Sequence, residues 1–192
     1  REDSDVEPLL QRKLKGDSLD VNEANCLGDW AWAQVADLSG KHNLPFKIHT
    51  GYYAGNNGMH VDRIPSGNLC KLAIAYPDTR FVLMHIAYPY SDELVAMTKH
   101  FSNVYADLCW AWSINPLHSM NFVRHFIHAA PANKLFAFGG DCFRPTSSVG
   151  YALQCRKWLG RALSAEVEDG LLTLNEATEL ATRLMRDNQY EC

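Results

Sequence analysis

Pro45-Phe46-Lys47-Ile48-His49-Thr50-Gly51 is the stretch on which the fold reading turns. A short β-prone run bounded by proline and glycine delivers a histidine to its own C-terminal end, which is where parallel α/β folds gather their chemistry. The pattern recurs. Arg80-Phe81-Val82-Leu83-Met84-His85 ends an apolar run in histidine, and Lys134-Leu135-Phe136-Ala137-Phe138-Gly139-Gly140-Asp141 ends one in aspartate. A further run, Val104 to Leu108, ends near Trp110-Ala111-Trp112. Strands are therefore expected near 46–50, 81–86, 104–108 and 135–140. All are apolar on both faces, and only parallel pairing with helical crossovers covers both sides of a sheet.

Helix signals fill the gaps. Leu27, Ala31, Val35 and Leu38 fall at helical spacing, with Asn25 as the expected N-cap and Gly40 as the stop. The Gly/Asn-rich segment Tyr52 to His60 reads as a functional loop. Ser66 is expected to cap a short helix bearing Leu69, Leu72, Ala73 and Tyr76 and closed by Pro77. Ser91 opens one with Leu94, Met97 and Phe101, and Pro116 opens one with Met120, Val123, Ile127 and Ala130 inward. A long helix beyond Asp141 carries Ala152, Cys155, Leu159 and Leu163. Thr173-x-x-Glu176 is a capping box stapled by Leu172 and Ala177. Residues 1–25 read as a charged connecting segment with one short apolar face (Leu9, Leu10, Leu14), and 26–192 as the domain proper.

The chain has 192 residues, 47% hydrophobic and 21% charged, a length of about one domain. A net charge of −4 without a basic run gives no reason to expect a nucleic-acid groove or an anionic membrane surface as partner. No apolar run approaches the roughly 18–20 residues of a membrane span. The six cysteines are scattered without a C-x-x-C pair, so they read as reduced thiols in a cytoplasmic setting. Four strand–helix units in this length amount to a small open sheet or half of a (β/α)8 barrel, which takes about 250 residues.

The set KIHTG, VLMHIAYPY and FAFGGD, followed by a C-terminal helix ending Met185-Arg186-Asp187-Asn188, resembles strands 5 to 8 of the amidohydrolase superfamily, in its amidohydrolase-related (type 2) branch. The resemblance covers residues 26–190. It implies the C-terminal half of a TIM-type barrel, and a divalent metal, Zn²⁺ first and Mn²⁺ as the alternative. It makes His49 a metal ligand, His85 a ligand or catalytic group, and Asp141 a ligand and general base. The reaction it implies is metal-dependent hydrolysis of a small, acidic or cyclic substrate. The alternatives are a decarboxylase or isomerase of the same barrel, or an inactive fragment. The family's His-x-His pair on strand 1 and its strand-4 lysine have no counterpart here, so the chain is expected to be part of a longer one, or to associate with itself through its open edges.

These residue types suit that chemistry. Neutral imidazole and carboxylate bind zinc-like ions, on which the pKa of water falls to about 7, and a neighbouring carboxylate takes the proton. Taken singly, a histidine after a strand is more often a packing residue, and Asp141 after Gly140 also fits an ordinary turn. Arg144 is placed to clamp a substrate carboxylate, or is simply a surface arginine before Pro145. Arg63 binds substrate or pairs with Asp62 or another acid. Trp110 or Trp112 floors a pocket or packs on helices. His60, His118, His125 and His128 read as structural.

Overall fold

The protein, a computed structural model, is described over residues 3–55 and 58–192; Arg1 and Glu2 of the connecting segment and Asn56 and Asn57 of the loop lie outside the described residues. Four strands form one sheet in the order β1-β2-β3-β4: β1 (Phe46–Ile48), β2 (Phe81–Met84), β3 (Val104–Asp107) and β4 (Leu135–Phe136). Every pairing is parallel, with Phe46 opposite Phe81, Phe81 opposite Val104, and Ala106 opposite Leu135. Helices separate the strands: α3 (Cys70–Ala75), α4 (Ser91–His100), α5 (Ala111–Ile114) and α6 (Pro116–Ala129). After β4 come α7 (Pro145–Glu168), α8 (Leu174–Thr182) and, through a π turn, α9 (Asn188–Glu191). Phe81, Leu83, Val104 and Leu135 are buried between sheet and helices, each worth about 1.5–3 kcal/mol of transfer free energy.

The strands are shorter than their apolar runs. β2 stops at Met84 because His85, Ile86 and Ala87 turn left-handed (φ 61°, 49° and 50°). Among the described residues β4 is an edge strand, and beyond Phe136 the Ala137 N–H donates to Leu184 O at 2.8 Å. Asn188, buried, donates to Ala132 O and Leu135 O and fixes the C-terminal helix under β4.

The N-terminal helices depart most from expectation. α1 (Asp3–Leu14) packs through buried Val6 with Leu9 and Leu10 half-buried on the same face, and of the expected apolar face only Leu14 is exposed. α2 (Val21–Lys41) starts earlier than Cys26, because Asp20 and Glu23 form a reciprocal capping box there, whereas Asn25 lies within the helix. Its packing stripe is Trp32, Ala36 and Gly40. The Trp32 ring lies 5.2 Å from Phe46, Ala36 O accepts from Thr79 Oγ1 at 2.7 Å, and a Cβ on Gly40 would lie 2.7 Å from Thr79 Oγ1. Gly40 is therefore a close-approach residue and not a stop. Of the apolar positions at helical spacing, Ala31, Val35 and Leu38 are exposed, since β1 is the sheet edge and no further strand among the described residues covers that flank.

Smaller differences follow the same logic. Ser66 does not cap: its buried hydroxyl has no partner, and a 3-10 turn (Ser66–Leu69) leads into α3. On α6 the buried stripe is Ser119, Phe122, Val123 and Phe126, with Met120 and Ile127 only half-buried beside it. The Thr173–Glu176 box opens α8 as the sequence indicates, with Ala177 and Leu172 in the core. α6 and α7 are joined by Glu166, whose buried carboxylate meets Arg124 and His128. All six cysteines are free, and no helix among the described residues is long and apolar enough to cross a membrane.

Candidate metal centre

Each strand releases a functional residue type at the same edge of the sheet. His49 follows β1, and the chain behind it is anchored to the end of β2: Thr50 Oγ1 donates to Met84 O at 2.5 Å and Tyr52 N to Tyr88 O at 2.7 Å. Gly51 permits this approach. It sits at φ 67°, and a Cβ there would come within 2.5 Å of the Ala87 and Tyr88 backbone. The His49 ring consequently stands 4.4 Å from that of His85 at 64°.

His85 is 0% exposed. Its Nδ1 lies 2.6 Å from the Cys109 carbonyl oxygen, which can only accept, so Nδ1 donates there and Nε2 is the ring nitrogen left for another partner. That buried Nε2 has no hydrogen-bond partner and lies 3.4 Å from Asp141 Oδ2. The carbonyl is itself held in place. Asp107, at the end of β3 and 0% exposed, accepts the Cys109 N–H on Oδ1 at 2.8 Å and faces Lys47 Nζ at 2.7 Å with Oδ2. The ion pair, the turn and the imidazole form one relay of fixed positions. Burial pushes the Asp107 carboxyl above its ordinary value, and Lys47 only partly offsets this.

Three residues delivering the site adopt left-handed backbone conformations: His85, Trp110 (φ 60°) and Asp141 (φ 38°). Such conformations cost of order 1–3 kcal/mol each for non-glycine residues and gather where geometry serves a site. Asp141, half open to solvent, borders a cavity of about 620 Å³ shared with His49, Tyr53, Trp110, Phe143, Arg144 and Tyr151. Arg144 makes no side-chain hydrogen bond or ion pair with the described residues. Trp110 stacks on Tyr52 at 6.2 Å and meets His85 edge-on, whereas Trp112 is buried and donates Nε1–H to Ala137 O at 2.8 Å. Of the two tryptophans, Trp110 faces the cavity and Trp112 packs. Arg63 lines a second cavity of about 270 Å³ that also borders His49, with Asn68 and Tyr53, and pairs with no acid among the described residues.

His85, Cys109 and Asp141 place one donor atom each within 4.8 Å of one another, with His49 alongside. Burial and the neighbouring imidazole of His85 hold the His49 pKa below its usual value, partly countered by Asp141; a neutral imidazole is the form that ligates. Burial, reinforced by the charges of Asp107 and Asp141, pushes the Cys109 thiol up to about 12. The donor set and the bare buried Nε2 of His85 fit a divalent cation. Composition alone did not reveal Cys109 or the Lys47–Asp107 pair. The one available signal for Cys109 was its place at a strand end, level with the two histidines and the aspartate.

Fold and site together define half of an amidohydrolase-type (β/α)8 barrel. A Lactobacillus casei protein described as a metal-dependent hydrolase superposes with a TM-score of 0.72 at 18% identity, covering 86% of this chain and 43% of that one. The uronate isomerase of Thermotoga maritima superposes at 0.79 with 15% identity, covering 99% and 46%. The chain belongs to the amidohydrolase family, whose model, described as Amidohydrolase, matches residues 18–176. It is also 26% identical over 171 residues to Protein fluG of Emericella nidulans, which takes in 84% of this chain and 19% of that protein. The chain thus spans less than half the length of each of these relatives.

Proposed function

We propose that this domain contributes the His49, His85 and Asp141 half of a divalent-metal site, zinc before manganese, in a hydrolase acting on a small acidic or cyclic substrate. The observation that carries the reading is His85: a fully buried imidazole with its protonated nitrogen fixed on a carbonyl and its bare nitrogen aimed at a carboxylate. A buried polar atom without a hydrogen-bond partner, as His85 Nε2 is, costs about 1–3 kcal/mol, a cost that a cation at this point would remove. When bound, the ion supplies a Lewis acid that acidifies water in its coordination shell.

Asp141 is the base in this reading. It lies at the cavity mouth, close enough to the imidazoles to share their ion and open enough to receive a proton and return it to a leaving group. Trp110 supplies an apolar wall beside the centre. Arg144, just before α7 and unpaired among the described residues, offers a guanidinium fork for a carboxylate, and Arg63 offers a second cation in the cavity that also borders His49. The outer edge of β1, unpaired among the described residues, and the exposed Val35, Leu38 and Leu44 on its flank suit docking of the remaining barrel strands, from the rest of a longer polypeptide or from a second copy.

Elemental analysis with steady-state turnover tests the assignment. Asp141→Asn keeps the shape and one oxygen donor, so metal content should fall modestly while turnover falls roughly 10²- to 10⁴-fold. His49→Ala should lose metal and activity together. Near-normal turnover of the Asn variant at full occupancy would make Asp141 an ordinary turn residue.

A further inference from the structure

We propose that Cys109 supplies a thiolate sulfur to the metal centre, so that this chain grips its cation through His85, Cys109 and Asp141 with His49 beside them. The proposal rests on the cation reading of the centre given above and goes further, because a sulfur donor changes which ion the site prefers.

Cys109 leaves β3 at the same edge from which β2 releases His85 and β4 releases Asp141, and the donor atoms of the three lie within 4.8 Å of one another. The thiol is not a loose neighbour. The Cys109 N–H is held by Asp107 Oδ1, its carbonyl by His85 Nδ1–H, and its side chain rests against Gly139, where a Cβ would come within 2.6 Å of the sulfur. The same peptide therefore fixes the sulfur and the tautomer that leaves His85 Nε2 bare. That Nε2, fully buried and without a hydrogen-bond partner, independently marks the point as one that receives a ligand. The other nearby sulfur, Cys142, instead donates to Arg144 O at 3.4 Å.

Coordination replaces the S–H bond by a sulfur–metal bond, and the proton leaves to the buffer. A thiolate with imidazole and carboxylate favours Zn²⁺ and Co²⁺ over Mn²⁺ and Mg²⁺, which prefer all-oxygen surroundings. The proposal thus selects zinc rather than manganese.

The test is optical titration of the protein with Co²⁺, comparing wild type with Cys109→Ser and Cys142→Ser. Wild type should show visible ligand-field bands together with an intense near-ultraviolet sulfur-to-cobalt band. Cys109→Ser should keep the former and lose the latter, and Cys142→Ser should keep both. Ligand-field bands without the sulfur band in wild type, or a sulfur band that survives in Cys109→Ser, would overturn the proposal and leave the cation reading standing. A protein that takes up no Co²⁺ overturns both. Should Cys109→Ser fail to fold, X-ray absorption at the zinc edge of the wild type decides: a sulfur shell at about 2.3 Å is expected, and a shell of nitrogen and oxygen alone refutes it.

Discussion

Replacing Asp107 separates the two jobs of its carboxylate. Asp107→Ala leaves the buried Cys109 N–H without an acceptor, a loss of about 1–3 kcal/mol. It also strips Lys47 of its partner, but the lysine side chain is 46% exposed and can turn to water, so this adds less than breaking a fully buried pair would. The sum is about 2–4 kcal/mol. Asp107→Asn retains an oxygen for the Cys109 N–H and removes only the charge. Because burial raises the Asp107 pKa, the folded state holds that proton more tightly than the unfolded chain. Its ionisation therefore lowers stability as pH rises from the ordinary carboxyl value through the folded one. The Asn variant escapes that loss and should cost about 1 kcal/mol or less at neutral pH. Freeing the Cys109 peptide in the Ala variant also releases His85 Nδ1, and outer partners of metal-binding histidines are worth about 10- to 100-fold in affinity. Urea unfolding and competitive zinc titration of both variants are the assays. Equal destabilisation by Ala and Asn, or unchanged zinc affinity in the Ala variant, would refute the relay from Asp107 to His85.

Gly139→Ala places a methyl 2.6 Å from the Cys109 sulfur and 2.7 Å from its Cβ; overpacking of this kind costs about 1–3 kcal/mol, and zinc affinity should fall with stability, read by the same two assays. Glu166 is held below the usual carboxylate range by its hydrogen bonds to Arg124 and His128, against the opposing effect of burial. A lowered folded pKa gives stability that is present above the unfolded value, about 4.3, and lost as pH falls through the folded one. Glu166→Gln should therefore flatten the acid limb of a stability–pH profile measured by urea unfolding between about pH 6 and 3. Thr173→Ala removes the hydroxyl that accepts Glu176 N–H and should cost about 1 kcal/mol without changing zinc binding, as thermal unfolding and titration will show.

The sheet was legible because its strands are mostly apolar runs with a residue of metal-ligand type at three ends, and such runs separated by helices pair in parallel. Trp110 and Trp112 were not separable from sequence, since only the left-handed turn at Trp110 decides which ring meets the cavity. The packing face of α2 is hidden for a different reason: the apolar spacing shows a helix, but the stripe that packs uses Gly40, whose value lies in having no side chain. The Lys47–Asp107 pair joins β1 to β3 across β2, a contact that no local pattern encodes. Cys109 read as one more residue of an apolar run, because a thiol at a strand end differs from a packing cysteine only by what faces it across the sheet edge.

The proposed metal ligand is His85 Nε2, which the Nδ1–H bond to Cys109 O leaves for a cation. Zinc stoichiometry and affinity by isothermal titration for wild type and His85→Gln test this most directly. One tight site is expected in the wild type and its loss in the variant, while the fold, followed by circular dichroism, persists. Equal zinc binding by the two proteins would contradict it.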